Sequence, residues 1–316
     1  MSAPRLAIVV PCYKEQDALP PSLEVLTGLL DRLAAESLAA ADSYILCVDD
    51  GSPDATWSII EKAHAADPRI KGVALAHNRG HQNALIAGLD TVADMCDCAV
   101  TIDADLQDDP NAIAQMLHAY ADGAEIVYGV RSSRETDSWF KRTSAQTFYK
   151  LQRSMGVETV YNHADYRLMS ARAIRLLLEY GESNLFLRGI VPQIGLKTAV
   201  VEYPRTARTA GETHYPLSKM ISLSIDGITS FTAKPMRWIF MTGLVLLLLD
   251  IIVAVWVLIA YFRHAVIGGW SSIMLSVWFL GSLILMGMGI IGEYIGKIYI
   301  ETKHRPRYAF RDKLID

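Results

Sequence analysis

Two aspartates, Asp103 and Asp105, follow the apolar run Ala99 to Ile102 and are themselves followed by Gln107, Asp108 and Pro110. Two carboxylates on a loop at the end of a strand can hold a divalent cation, and Mg²⁺ is typically held this way, by one or two carboxylates together with substrate phosphates. The chemistry on offer is the handling of a diphosphate. An Asp-x-Asp alone does not establish it, because loops are rich in aspartate. A second acidic cluster, Val48-Asp49-Asp50-Gly51-Ser52, ends another apolar run upstream, so the question becomes which elements bring the two together.

From Leu6 to about Tyr128, short apolar runs alternate with longer segments of helical period, the pattern of strands joined by crossover helices in a mainly parallel sheet. The expected strands are Leu6 to Val10, Tyr44 to Val48, Gly72 to Leu75, Ala99 to Ile102 and Ile126 to Tyr128. The clearest helix places Leu23, Leu26, Leu30 and Leu33 on one stripe after Pro20-Pro21. Three of the strands run directly into polar clusters, Pro11-Cys12-Tyr13-Lys14-Glu15, Asp49-Asp50-Gly51-Ser52 and Asp103-Ala104-Asp105. In open parallel sheets ligands sit at the carboxyl ends of strands, so these clusters should meet in one crevice.

Composition narrows the class. The 316 residues carry 30 basic and 34 acidic side chains, a formal charge of −4, which argues against nucleic acid as a partner. Hydrophobic residues make up 51% and charged ones 20%, below the roughly 25% charged content of ordinary soluble domains. The excess lies near one end and excludes a purely soluble protein. The cysteines Cys12, Cys47, Cys96 and Cys98 form no C-x-x-C pair and read as buried, reduced thiols of a cytosolic compartment. The apolar run Leu6 to Val10 is too short for the core of a secretory signal, so the first segment is expected to stay in the cytosol.

Trp238 to Phe262 is a run of 25 residues whose only charged side chain is Asp250, and Trp270 to Gly292 is a run of 23 with none. Each is long enough to cross a hydrocarbon core that needs about 20 helical residues. Lys219, Lys234 and Arg237 precede the pair and Lys297, Lys303, Arg305 and Arg307 follow it, which puts both ends in the cytoplasm. The stretch Leu217 to Phe231 has the period of an amphipathic helix, lying along the interface or packed as an ordinary domain helix. Asp250 falls near mid-bilayer, where a carboxylate costs roughly 2.5 to 3.5 kcal/mol. It should face protein, with Ser282 or a subunit interface as its alternatives, unless the span shifts or water reaches it.

With these features in place, the sequence resembles the family-2 inverting glycosyltransferases of the GT-A fold, and among them the polyprenyl-phosphate branch. The resemblance rests on Val9-Val10-Pro11-Cys12-Tyr13-Lys14-Glu15, Val48-Asp49-Asp50-Gly51-Ser52-Pro53-Asp54 and Asp103-Ala104-Asp105-Leu106-Gln107-Asp108. Further matches are Asn78-Arg79-Gly80-His81-Gln82, Ala164-Asp165-Tyr166-Arg167-Leu168-Met169 and Arg208-Thr209-Ala210-Gly211-Glu212-Thr213-His214-Tyr215. It covers almost the whole chain and is similar to bactoprenol-phosphate glucosyltransferases, with dolichyl-phosphate mannose synthases as cousins.

The resemblance implies a Rossmann-like, mainly parallel GT-A domain over residues 1–213, a juxtamembrane helix region over 214–237, transmembrane helices over 238–262 and 270–292, and a cytosolic tail over 293–316. It implies that Pro11, Tyr13, Glu15 and Asp50 line the nucleotide pocket, Asp50 facing the base, and that Asp103, Asp105 and Gln107 surround Mg²⁺ or Mn²⁺. Arg131, Arg142 and Arg208 fall where related enzymes place basic residues around the donor diphosphate or the acceptor phosphate, and Asp165 where a catalytic carboxylate is usually assigned. Lys14 departs from the usual Asn, and Thr213-His214-Tyr215 from the usual Ser-Lys-Tyr. The second change removes a positive charge near the acceptor, which Lys219 or Arg208 can supply.

The implied reaction transfers a hexose, glucose from UDP-glucose, to undecaprenyl phosphate at the cytoplasmic face of a bacterial inner membrane, in a protein expected to be a homo-oligomer. GDP-mannose and a UDP-aminosugar are alternative donors. A phosphate monoester has a second pKa near 6, so little proton is left for a base to remove, and Asp165 is expected mainly to orient the acceptor or balance charge. Two rivals are a processive polysaccharide synthase, echoed by Lys234-Pro235-Met236-Arg237-Trp238 but poorly served by two spans, and a nucleotide-sugar-binding membrane subunit without turnover. The intact set Asp103, Asp105, Gln107 and Asp165 argues against the second.

Overall fold

The computed structural model describes residues 3–131, 163–182, 187–204 and 269–316, together with residues 239, 241–243, 245, 248–249, 251–252 and 255. The chain divides into two compact units, one of Met1–Tyr149, Glu158–His214 and Arg305–Asp316, the other of Lys150–Val157 and Tyr215–His304.

In the first unit the apolar runs become strands β1 (Leu6–Cys12), β2 (Tyr44–Asp49), β3 (Ile70–Leu75) and β4 (Cys98–Thr101), buried along their whole length. Continuous burial is what a parallel sheet with both faces covered requires. The covers are the crossover helices α1 (Leu19–Ala35), α2 (Thr56–Ala66), α3 (His81–Val92) and α4 (Ala112–Ala121). α1 buries Leu23, Leu26, Leu30 and Leu33, the stripe its sequence period demands. α3 lies so close to the sheet that a Cβ on Gly88 would meet Val9 Cγ1 at 2.4 Å and Val48 Cγ2 at 2.8 Å. Cys12, Cys47 and Cys98 are buried, and all four cysteines are free thiols.

The chain continues through β5 (Ile126–Arg131), β6 (His163–Ser170), α5 (Ala171–Glu179), α6 (Leu187–Ile190), β7 (Thr198–Tyr203), α7 (Trp270–Thr302) and β8 (Phe310–Leu314). The strands form one eight-stranded sheet in the order β7-β5-β6-β4-β1-β2-β3-β8. It is mixed, which refines the expected mainly parallel sheet. β6 runs antiparallel to both β4 and β5, and β8 runs antiparallel to β3, while β1, β2, β3 and β4 are mutually parallel and β5 is parallel to β7. Both reversed strands are polar in sequence, β6 through Asp165 and Arg167 and β8 through Arg311, Asp312 and Lys313, which hid them from an apolar-run reading.

β8 lies in the segment read from sequence as a tail. That segment holds the last turns of α7 and an edge strand fastened to the sheet. Ala76 N donates to Ala309 O at 2.8 Å, Tyr308 Oη to Asp90 Oδ2 at 2.7 Å, Arg307 to the Tyr180 carbonyl and Lys71 to the Ile315 carbonyl. Tyr203 pairs with Arg131 and Phe310 with Leu75. β7 and β8 are thus the two opposite edge strands, and β7 finishes and β8 starts at the end of the sheet where β1 to β5 finish.

In the second unit, α7 is 33 residues long, about 50 Å at 1.5 Å per residue. Among the described residues it holds the one stretch long and apolar enough to cross a membrane, Phe279–Thr302, with a mean hydropathy of 1.6. The expected span 270–292 lies within α7, and the apolar window extends beyond it. The expected span 238–262 falls mostly outside the described residues, which are helical wherever they occur between 239 and 255. Ile239 Cγ2 lies 3.4 Å from where a Cβ on Gly287 would stand, an ordinary packing distance.

Candidate active site

The carboxyl ends of β1, β2, β3 and β4 and the beginning of β6 meet at one edge of the sheet, and the polar clusters meet with them. The loop after β4 carries Asp103 and Asp105. It is steadied from α1, where Ser22 Oγ donates to Ala104 O at 2.6 Å. Leu106 holds φ at 44°, a left-handed conformation that costs a residue other than glycine on the order of 1 kcal/mol. That turn brings the Gln107 amide back onto Asp105, Nε2 to Oδ2 at 2.5 Å. Gln107, expected beside a metal ion, steadies one of the expected ligands.

Glu15 lies close enough for its charge to be felt. Burial first, then Asp105 and Asp103, push its carboxyl above the ordinary range. Asp103 is also pushed up, by the surrounding protein and by the Asp165, Asp108 and Asp105 carboxylates, against the pull of His81. Mutual repulsion among hard oxygen donors on adjacent loops is the condition a divalent cation relieves, so this donor set fits Mg²⁺ or Mn²⁺. Among the described residues no three His, Cys, Asp or Glu side chains form a group able to hold a metal ion by themselves. A cation here would share its shell with ligand phosphates.

Pro11 is buried within β1, opposite Val48, while Tyr13 is exposed and Lys14 takes a φ of 60°. The Glu15 amide donates to Thr56 Oγ1 at 3.0 Å, which fixes this loop to the start of α2. Asp50, expected to face a nucleotide base, is buried and directs both oxygens at the loop after β3. It accepts from Arg79 N at 2.7 Å and Gly80 N at 2.8 Å. Gly80, at φ 85°, then turns the chain into α3, a conformation that glycine adopts without steric cost. The clamp places His81 and Gln82 in the first turn of α3.

Those two residues had no role assigned from sequence, and they connect the site. His81 Nε2 stands 3.7 Å from Asp103 Oδ1 and 3.8 Å from Asp165 Oδ2, one imidazole between the loop after β4 and the beginning of β6. Gln82 Nε2 donates to Asp165 Oδ2 at 3.3 Å, and its Oε1 accepts from Leu187 N at 3.2 Å. The amide orientation is forced, because a carboxylate only accepts and a backbone N–H only donates.

Asp165 is heavily engaged, with Gln82, Arg167, Arg188 and His81 all facing its carboxylate. Its backbone carbonyl accepts from Thr101 Oγ1 at 2.5 Å. Its Oδ1 takes Arg167 Nη2 at 2.5 Å, and Arg188 reaches it with Nη2 at 3.3 Å from Oδ2 and Nε at 3.5 Å from Oδ1. Burial alone would raise its pKa, but Arg167, Arg188 and His81 override burial and hold it at about 2. Arg167 is 2% exposed, Asp165 11% and Arg188 41%, so one arginine is interior and the other opens to solvent.

Arg131, at the end of β5, is tied to the loop after β4. Its Nε donates to Asp108 Oδ1 at 2.9 Å, and Tyr203 Oη donates to the same oxygen at 2.8 Å. Asp108 is buried and draws Arg131 to the rim of the Asp103–Asp105 loop. Arg142, Arg208, Lys219 and Asp250 lie outside the described residues. Of the residues the sequence left without a role, His81 and Gln82 stand in a motif directly after β3, a signal that could have found them. Arg188 sits in a short apolar turn with no such marker.

Comparison with known proteins supplies a context for this geometry. Residues 7–178 match the family model described as Glycosyl transferase family 2. An uncharacterized glycosyltransferase of Bacillus subtilis, YkoT, is 49% identical over 98% of this chain and 91% of its own length. The bactoprenol glucosyl transferase of Shigella phage SfX is 36% identical over 98% of this chain and 99% of its own. Among solved structures, glucosyl-3-phosphoglycerate synthase from Mycobacterium tuberculosis aligns over 72% of this chain and 78% of its own with a TM-score of 0.46 and 18% identity.

Proposed function

The chain belongs to glycosyl transferase family 2, and from that footing we propose that it is a membrane-anchored, inverting enzyme that moves glucose from UDP-glucose onto a polyprenyl phosphate of undecaprenyl type at the cytoplasmic face. The observation that carries this reading is the crevice itself. A carboxylate loop suited to a cation and diphosphate lies on one side of His81, and on the other side an Asp165 carboxylate is flanked by two guanidiniums. The near full-length likeness to a protein named bactoprenol glucosyl transferase supports the choice of sugar and acceptor.

In this reading the phosphate oxygen of the acceptor forms the new bond to the anomeric carbon. The bond from that carbon to the donor diphosphate breaks, and its electron pair leaves with the nucleoside diphosphate. Mg²⁺ or Mn²⁺ bound to Asp103 and Asp105 would stabilise the charge on the leaving group. Gln107 keeps Asp105 in place, and Glu15, Pro11 and Tyr13 border the nucleotide. Asp50 supports that side by clamping the loop that carries His81 and Gln82. The acceptor arrives with its second proton already largely lost. Asp165, held near a pKa of 2, is a very weak base at neutral pH, and its work is to hold arginines in place. Arg131, Arg142, Arg208 and Lys219 supply further positive charge that an encounter of two anions needs.

The apolar window in α7 and the apolar run at 238–262 would anchor the enzyme where the lipid phosphate is presented, raising its effective concentration. The test is a donor panel of UDP-glucose, GDP-mannose and a UDP-aminosugar with short-chain polyprenyl phosphate, with and without EDTA. The expected result is lipid-linked glucose that disappears with EDTA and returns with Mg²⁺ or Mn²⁺. Lipid-linked product from another donor alone would replace the sugar assignment. Binding of nucleotide sugar with no release of UDP on adding the lipid phosphate would overturn the enzymatic reading.

A further inference from the structure

We propose that Arg188 grips the acceptor's phosphate, and that Asp165 and Gln82 are the positioning residues that present it. The inference deepens the reading above and rests on it. Charge is the starting point. A buried carboxylate needs one cationic partner, and Asp165 has a complete one in Arg167, which lies 2.5 Å away and is 2% exposed. Arg188 is a second guanidinium on the same carboxylate, held only by longer contacts of 3.3 and 3.5 Å and 41% exposed. The pair of arginines exceeds the charge of Asp165, and the excess lies on the open member. A loosely held, solvent-facing guanidinium is a planar fork of donors matched to phosphate oxygens.

Its position is fixed from both sides. Gln82 bonds at once to Asp165 and to the Leu187 amide, the residue before Arg188. One side chain from α3 therefore sets both the carboxylate and the backbone that carries the arginine. The stereochemistry of the reaction adds a direction. In an inverting displacement the attacking oxygen must approach the anomeric carbon from the face opposite the leaving diphosphate. The diphosphate belongs with Asp103 and Asp105, and His81 lies between Asp103 and Asp165. An anion held by Arg188 is then across the site from the leaving group, as an attacking phosphate has to be.

The experiment uses the purified full chain in detergent with short-chain polyprenyl phosphate and the donor that supports wild-type turnover. Arg188→Gln should raise the KM for the lipid phosphate by about tenfold or more while the KM for the donor stays within about twofold. Arg188→Lys should recover part of the loss, because it keeps the charge without the fork. In the wild type the KM for the lipid should fall as pH rises through the acceptor's second pKa near 6, and in Arg188→Gln this dependence should flatten, a change that a merely structural role would not produce. An unchanged lipid KM and pH dependence in Arg188→Gln would overturn the inference, as would equal rises in both KM values. Absence of lipid-linked product from the wild type with every nucleotide sugar would instead remove the functional reading beneath it.

Discussion

Asp165 shows how one residue's environment decides its job. Its pKa of about 2 against an ordinary 3.8 means that its ion pairs favour the folded state by on the order of 2 kcal/mol wherever the unfolded carboxylate is ionised. Because the folded value is the depressed one, this contribution is complete above about pH 4 and is lost as pH falls toward 2. The difference in thermal midpoint between wild type and Asp165→Asn should therefore be constant from pH 8 to about pH 5 and shrink only in acid. A difference that changes near neutrality would mean that Asp165 titrates there. At this scale the sequence was partly legible. Asp103, Asp105 and Asp165 announce themselves by type and motif, and His81 and Gln82 at least stand in a motif after β3, whereas Arg188 gains meaning only when α3, β6 and α6 converge, which spacing along the chain does not encode.

The elements that make the site follow the same division. The five strands read from sequence are present because each is an apolar run with a turn behind it, and the period of α1 sufficed to identify its buried stripe. β6 was missed because Asp165 and Arg167, both engaged at the site, interrupt its apolar pattern. β7 and β8 escape an apolar-run reading because they are edge strands, β7 short and half exposed and β8 built around Arg311, Asp312 and Lys313. α3 is the element on which the site most depends, since its first turn carries His81 and Gln82 and its middle rests on β1 and β2 through Gly88. Gly88→Val should push the helix away from Val9 and Val48, destabilising the fold by about 1 to 3 kcal/mol. Turnover should fall further than stability explains, as checked by urea denaturation beside an activity assay at a concentration of urea that unfolds neither protein.

For the whole molecule, the placement of the chain's last strand matters. β7 ends and β8 begins on the side of the sheet where the carboxyl ends of β1 to β5 gather, so the last residues of the chain close the β3 edge beside the candidate site. Removal of residues 305–316 should uncover the edge of β3 and lose the bonds to Asp90 and Tyr180. The expected outcome is a lower thermal midpoint and a greater tendency to aggregate, measured by scanning fluorimetry and size-exclusion chromatography in detergent. An unchanged midpoint would show β8 to be dispensable.

In the proposed reaction two anions meet under the control of fixed charge, with no proton to be taken from the attacking oxygen. Its most direct test is the turnover of wild type and Asp165→Asn on polyprenyl phosphate, measured in parallel from about pH 5.5 to pH 8.5, a range that spans the acceptor's second ionisation. The expected deficit in Asp165→Asn is present at every pH and does not shrink as pH rises, because positioning of the arginine is lost throughout. A deficit that is large at the acid end and vanishes above pH 7 would show that Asp165 removes a proton, and would contradict the proposed reaction.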